Sequence, residues 1–200
     1  MAVREALIDR PRGSATRLII VEAAARLFSD VGYADATLEE IGARIGIGRS
    51  AVLYHYGSKQ ELLNAVVRPL VEGVDELLDR FEQANRTSVR EQRRLVTEFV
   101  ALLCRHRTVA TILYRDAATQ RHLPADLQTV DRLARFVALM MGGDRGPNPD
   151  LRALAALGAV IRPVIASPDL IDLATPERQL AVCDAALQAL RARQPRHRNR

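Results

Sequence analysis

The stretch Thr37 to Lys59, TLEEIGARIGIGRSAVLYHYGSK, constrains this chain more than any other. Thr37 with Glu40 three residues on has the form of a capping box, which starts a helix. Leu38, Ile41 and Ile45 recur at helical spacing and give that helix one apolar face. Gly46-Ile47-Gly48 ends it, because glycine accepts the positive φ of a tight turn. A second short helix is predicted from Arg49 to about Tyr56, with Val52, Leu53 and Tyr56 available to pack inward. Ser58-Lys59-Gln60-Glu61 is a second capping box, opening the helix that leads away. Two short helices joined by a glycine turn match the helix-turn-helix, whose second helix enters the major groove of DNA. An ordinary helical hairpin has the same spacing, so spacing alone leaves both readings open.

The wording of the sequence separates them. From Leu18 to Leu63 the chain resembles the DNA-binding domain of the TetR family of bacterial transcriptional regulators. The resemblance is carried by Ala23-Ala24 and Leu27-Phe28 in a first helix. It continues through Gly32-Tyr33, Thr37, Ile41, Gly46-Ile47, His55, Ser58-Lys59 and Leu62-Leu63. With the helix-turn-helix placement, it gives a candidate DNA-binding set of Thr37, Gly48, Arg49, Ser50, Ala51, Tyr54, His55 and Lys59. The family usually has tyrosine, a phosphate contact, where this chain has Leu53, and phenylalanine where it has Tyr56. Tyr54, the next residue, is the candidate to take over that contact. Gly48 stands where the family often has serine, which weakens capping of the second helix.

At 200 residues the chain has room for one domain or two small ones and for a sizeable core. Its longest apolar run, Ala153 to Ile161, lies between Arg152 and Arg162 and falls well short of the ~20 residues that span a bilayer. Residues 1–13 carry Arg4, Glu5, Asp9, Arg10 and Arg12, unlike a signal peptide. A soluble, cytoplasmic protein is expected. Cys104 and Cys183 give neither a disulfide framework nor metal spacing, and read as buried thiols. The net charge of +5 is a weaker nucleic-acid signal than it looks. Arg191, Arg193, Arg196, Arg198 and Arg200 crowd the last ten residues, and setting those five aside leaves 24 basic against 24 acidic residues. The DNA reading therefore rests on local placement.

Along the chain, the expectation is an all-α protein of about nine helices. Residues 1–14 are read as a flexible arm, 15–60 as a three-helix DNA-binding domain, 61–192 as a helical effector-binding and dimerisation domain, and 193–200 as a basic disordered tail. Thr16 to about Val31 is the first helix, with Leu18, Ile19, Ala23, Leu27 and Phe28 as its inner face. From Ser58 a long helix carries apolar residues at three-to-four spacing to Phe81, and a kink is expected at Pro69, which clashes with the carbonyl of Ala65. That kink is either a static bend or a place where two helix geometries are nearly equal. Asn85 to Ser88 is a break, and Ser88 with Glu91 caps a helix running to about His106. Helices near Thr108–Thr119 and Pro124–Met141 follow, then the loop GGDRGPNP from Gly142 to Pro149. Leu151 to about Ala166 and Pro176 to about Arg193 end the series, around a Ser167-Pro168 turn.

Leu151, Leu154, Ala155, Gly158 and Ile161, with Leu180, Cys183, Leu187 and Leu190, put small and apolar residues on the last two helices. Such a pair forms either intramolecular core or half of a four-helix bundle across a two-fold axis. The family resemblance implies the second, a homodimer interface. Arg162 within that run points to solvent, pairs across the dimer, or meets an anion. The resemblance also implies an effector pocket among the middle helices, for which Phe99, Leu103, Tyr114, Phe136 and Met140 are candidates; ordinary core packing is the alternative for each. Cys104 and His106 lie two apart on one helix and do not face each other, so no nucleophile–base pair is built. His106 and His122 are too isolated for a metal site. No cofactor, no metal and no enzyme activity are expected. The reading is a homodimeric, effector-responsive repressor that binds double-stranded operator DNA and no membrane. Its rival is a helical small-molecule carrier or enzyme whose hairpin only packs.

Overall fold

The computed structural model describes residues 9–84, 88–115, 117–142, 146–166 and 171–191. These form ten α-helices, with no strand among the described residues. They are α1 Asp9–Val31, α2 Leu38–Arg44, α3 Arg49–Tyr56, α4 Lys59–Ala84, α5 Val89–Arg105, α6 Arg107–Arg115, α7 Ala117–Gln120, α8 Val130–Met141, α9 Pro149–Ile165 and α10 Pro176–Arg191, with a 3-10 turn at Ala125–Leu127. The expected basic tail, the Ser167-Pro168 turn, residues 1–8 of the arm, and parts of the Asn85–Ser88 and Gly142–Pro149 breaks lie outside the described residues.

Two compact units emerge. One joins the stretch up to Pro69 with Thr111–Gln128; the other joins Leu70–Ala110 with the chain from Thr129 on. The first unit therefore includes a segment distant in sequence from the helix-turn-helix. Its core is built on Ile20, Ala24, Leu27 and Phe28 of α1, Ile41 of α2, Val52 of α3, Leu62 and Leu63 of α4, and Leu113, Leu123 and Leu127. The register of α1 differs from the expected one. Ile20 is fully buried, whereas Leu18 and Ile19 are 66% and 51% exposed. With 3.6 residues per turn, Ile20, Ala23, Ala24, Leu27 and Phe28 already complete one stripe; Leu18 falls on the face opposite it and Ile19 on its flank. The helix also starts earlier, at Asp9, with Pro11 in the first turn, where its missing N–H would have had no intrahelical acceptor.

In the second unit α9 packs on α10, α5 and α8, and α10 packs on α5. Asp75, Asp79 and Glu82 recur at one-turn spacing on α4 and meet Arg132 and Arg135 of α8. Arg132 Nε donates to Asp75 Oδ1 at 2.9 Å, and Arg135 holds both Glu82 oxygens at 2.8 Å. The helix runs through Pro69 from Lys59 to Ala84. One expected helix is divided, since Pro124 leads only into the short 3-10 turn; the expected Thr108–Thr119 helix corresponds to Arg107–Arg115 and Ala117–Gln120. Extended backbone at Pro124 and again at Gln128, with ψ of 158° and 145°, keeps that turn apart from α8.

Candidate nucleic-acid interface

The helix-turn-helix begins with the predicted cap. Glu40 N–H donates to Thr37 Oγ1 at 3.2 Å, and Thr37 N–H donates back to Glu40 Oε2 at 3.0 Å. The Thr37 hydroxyl also donates to Glu40 Oε2 at 2.8 Å, and this bond, followed by that from the Thr37 N–H, holds the Glu40 carboxyl below its ordinary pKa. Two glycines then make the turn. Gly46 has φ +73°, and a Cβ on Gly42 would lie 2.5 Å from the Ile47 carbonyl oxygen. The Ile47 N–H donates to the Gly42 carbonyl at 2.9 Å, so the turn folds flush against α2. Gly42 went unnoticed in the sequence because it sits inside the helix pattern rather than in the visible glycine cluster.

The turn launches α3 with Gly48 at its N-cap and no side-chain cap bond. Val52 and Tyr56 are buried; Leu53, predicted to face inward, is only half-buried. Arg49, Ser50 and Tyr54 are exposed, Tyr54 at 86%, and Ala51 and His55 are half-buried. The Tyr54 and His55 rings meet edge to face at 5.3 Å. Along α3 the apolar side is thus turned to the core, and the outer side presents a guanidinium, a hydroxyl and a phenol.

The two strongest cations of the predicted set already have partners. Arg49 Nη1 reaches Glu39 Oε1 at 2.9 Å, an exposed pair across α2 and α3. Lys59 Nζ donates to the Ala34 carbonyl at 3.0 Å and sits 4.5 Å from the centre of the Tyr33 ring. Burial lowers the Lys59 pKa, against the raising effect of Asp35 and Glu40. Tyr33 in turn packs on Phe28, at 5.4 Å, and on His122, at 4.9 Å, and its hydroxyl donates to Gln60. Lys59 is therefore tied into the turn that precedes α2.

The other predicted residues divide. Phe99, Leu103, Phe136 and Met140 are each at most 1% exposed in the second unit, and the Phe99 and Phe136 rings lie 4.5 Å apart. Tyr114 falls in the other unit, on α6. Of the predicted dimer residues, Leu151, Leu154 and Leu180 are 60%, 52% and 48% exposed, Ala155 is exposed, and Gly158 and Ile161 are half-buried. Cys183, Leu187 and Leu190 are buried within the single chain, so they are core of one protomer with little surface for a partner. At 3.6 residues per turn the inner stripe of α10 takes Val182, Cys183, Ala186, Leu187 and Leu190, leaving Leu180 outside. Arg162 is exposed. Burial pushes the Cys104 and Cys183 thiols up, which makes them poor nucleophiles. Among the described residues no cluster of three metal-ligating side chains occurs, and no helix is long and apolar enough to cross a membrane.

Comparison with known proteins bears on this geometry. A profile described as bacterial regulatory proteins, tetR family, matches residues 20–66. The transcriptional regulator SrpR of Pseudomonas putida is 42% identical over 52 residues, 26% of this chain and 24% of SrpR. The matched stretch thus spans about a quarter of that relative's length. Among solved structures, Mycobacterium smegmatis AmtR superposes with a TM-score of 0.71 at 22% identity, covering 88% of this chain and 86% of AmtR. AibR, solved with isovaleryl coenzyme A and operator DNA, gives 0.63 at 23% identity over 87% and 97% of the two chains. The whole-chain likeness is one of fold; the sequence likeness belongs to the N-terminal helices.

Proposed function

We propose, from the match of residues 20–66 to the tetR family of bacterial regulatory proteins, that the chain is a cytoplasmic, homodimeric repressor of transcription. The single observation that carries the reading is the two-sided α3. Val52 and Tyr56 anchor it, while Arg49, Ser50 and Tyr54 face outward at the end and side that reach base edges in a helix-turn-helix. Arg49 reads guanine by a bidentate pair, and Thr37, Gly48, Ala51, Tyr54, His55 and Lys59 place α2, α3 and the start of α4 against the backbone. The exposed Leu151, Leu154, Ala155 and Leu180 supply the two-fold contact. Two recognition helices held about 34–36 Å apart then address successive major grooves.

The sensing region is proposed around Phe99, Leu103, Phe136 and Met140. These side chains fill the second unit's core, so an effector entering here has to part the Phe99–Phe136 pair. An effector that prefers the parted form lowers operator affinity by its differential affinity for the two forms, typically 1–3 kcal/mol. No enzymatic step is assigned to the chain.

The test is selection of bound fragments from genomic DNA, followed by binding measured against salt. A repressor retains one sequence class, with log affinity falling linearly in log salt. A carrier or enzyme retains none. On the selected duplex, Arg49→Ala should relax the preference at one base pair of each half-site, by about 1–3 kcal/mol. A loss equal at all positions would show that Arg49 holds phosphate instead.

A further inference from the structure

A closed clamp joins α1 to the last turn of α3. Arg17 Nη1 donates to the His55 carbonyl at 2.8 Å, and its guanidinium lies 4.6 Å from the centre of the Tyr56 ring. The Tyr56 hydroxyl donates back to the Arg17 carbonyl at 2.9 Å. Three contacts of different kinds thus run between two residues 39 positions apart and a third beside them.

The end of α3 needs such support. The last four carbonyls of any helix lack an intrahelical donor. The Leu53 carbonyl receives the Gly57 N–H at 2.7 Å, the Tyr56 carbonyl receives the Ser58 N–H at 2.6 Å, and Arg17 supplies the donor to His55. A guanidinium there also meets the negative end of the helix dipole. At the other end, Gly48 offers no side chain to the first N–H groups. A helix of eight residues, far below the ~12–15 at which helices hold in water alone, takes its pose from contacts outside itself.

We propose that Arg17 is a positioning residue for DNA recognition, fixing the rotation and the last turn of α3 so that Arg49, Ser50 and Tyr54 meet the same base pairs in every encounter. The proposal rests on the DNA-binding reading above. Arg17 acts through α3 rather than on phosphate, because its guanidinium is engaged by the His55 carbonyl on one edge and the Tyr56 ring on its face. Tyr54 shares in the effect, since its ring packs on His55, the residue Arg17 holds.

Three variants of the full-length chain test this: Arg17→Met, which keeps the aliphatic stem; Arg17→Lys, which keeps the charge but loses the planar fork; and Tyr56→Phe, which removes only the return bond. Each is measured against the duplex selected by the wild-type chain and against a scrambled duplex of equal composition. Arg17→Met and Arg17→Lys should both reduce the ratio of the two affinities by about tenfold, which equals about 1.4 kcal/mol. The salt slope should stay constant, and Tyr56→Phe should lose less. In the DNA-free protein, the Gly57 amide of Arg17→Met should exchange with solvent about tenfold faster, by fraying of the last turn. A uniform loss on both duplexes with a salt slope lower by about one unit per half-site would make Arg17 a phosphate contact and overturn the proposal. So would a variant that unfolds at lower temperature yet, when folded, discriminates as the wild type does. If the wild-type chain binds no duplex, the DNA reading and the positioning role fall together. The amide exchange still reports the clamp in that case.

Discussion

Replacing Arg107 with methionine tests how the connection between α9 and α10 is held. Arg107 opens α6, where a cation meets the positive end of the helix dipole, at a cost of about 0.3–1 kcal/mol. Its placement therefore needs a compensating interaction. Nε donates to the Val164 carbonyl at 2.8 Å, and Nη2 donates to the carbonyls of Ala166 at 2.8 Å and Ile171 at 2.9 Å. Val164 lies in the last turn of α9 and Ala166 is its C-cap, so one guanidinium satisfies helix-end carbonyls and a carbonyl beyond them. Bonds to a charged donor contribute about 1.5–3 kcal/mol each. Arg107 is half-exposed, so water replaces part of what the mutation removes, and relief at the dipole returns up to ~1 kcal/mol. A net loss of about 2–4 kcal/mol is expected from these opposing effects. At ~2–4 °C per kcal/mol for a chain of this size, the melting temperature should fall by about 4–16 °C. Circular dichroism during heating, at one fixed protomer concentration, reads this directly. Arg107→Lys keeps the charge and one donor direction, and should fall between methionine and wild type. A melting temperature for Arg107→Met within about 1 °C of wild type would refute the clamp.

Two further outcomes follow from the second unit and its surface. The hydrogen bond from Arg135 holds the Glu82 carboxyl below its ordinary pKa, so its stabilising effect is full above the unfolded-state value near 4.5 and is lost as pH falls through the lower folded-state value. Stability measured by urea titration should thus be less acid-sensitive below about pH 4.5 in Glu82→Gln, and an unchanged acid limb would show that the pair contributes nothing. Leu154→Asp should shift sedimentation equilibrium towards monomer with little change in protomer stability, while Leu187→Ala should cost about 2–5 kcal/mol of stability by leaving a cavity. The reverse pattern would move the partner surface to the inner stripe of α10.

The local parts of this fold were legible because their causes are local. The Thr37–Glu40 cap, the break at Gly46 and the Ser88 cap each depend on residues within a few positions, and each appears where spacing put it. The register of α1 was misread because Leu18 and Ile19 are as apolar as Ile20; only the neighbouring helices decide which stripe is covered. On α10, Cys183, Leu187 and Leu190, which the family resemblance implied for a partner, are buried in the single chain, since periodicity shows that a face is apolar and not what covers it. Arg17 carried no signal at all. Its partners lie 38 and 39 residues away, and an arginine early in a helix reads as an ordinary solvated charge. The grouping of Thr111–Gln128 with the N-terminal helices is likewise non-local, set by contacts such as Tyr33 with His122.

The partners of Arg49 and Lys59 sort these two cations by what each can give up. The Arg49–Glu39 pair is open to solvent on both sides, and such pairs contribute about 0–1 kcal/mol. Under the proposed reading, so weak a pair can be given up for a guanine contact, whose discrimination is about 1–3 kcal/mol. Lys59 differs, because its ammonium is partly buried, bonded to the Ala34 carbonyl and set over the Tyr33 ring. Withdrawing it would give up the bond to the exposed Ala34 carbonyl, which water can replace, and forfeit a cation–π contact worth about 0.5–1 kcal/mol. Lys59 is better placed to act from where it stands. It fixes the turn that carries Thr37 and adds positive charge at the N-terminus of α4, where Ser58 already takes the Glu61 and Leu62 N–H groups.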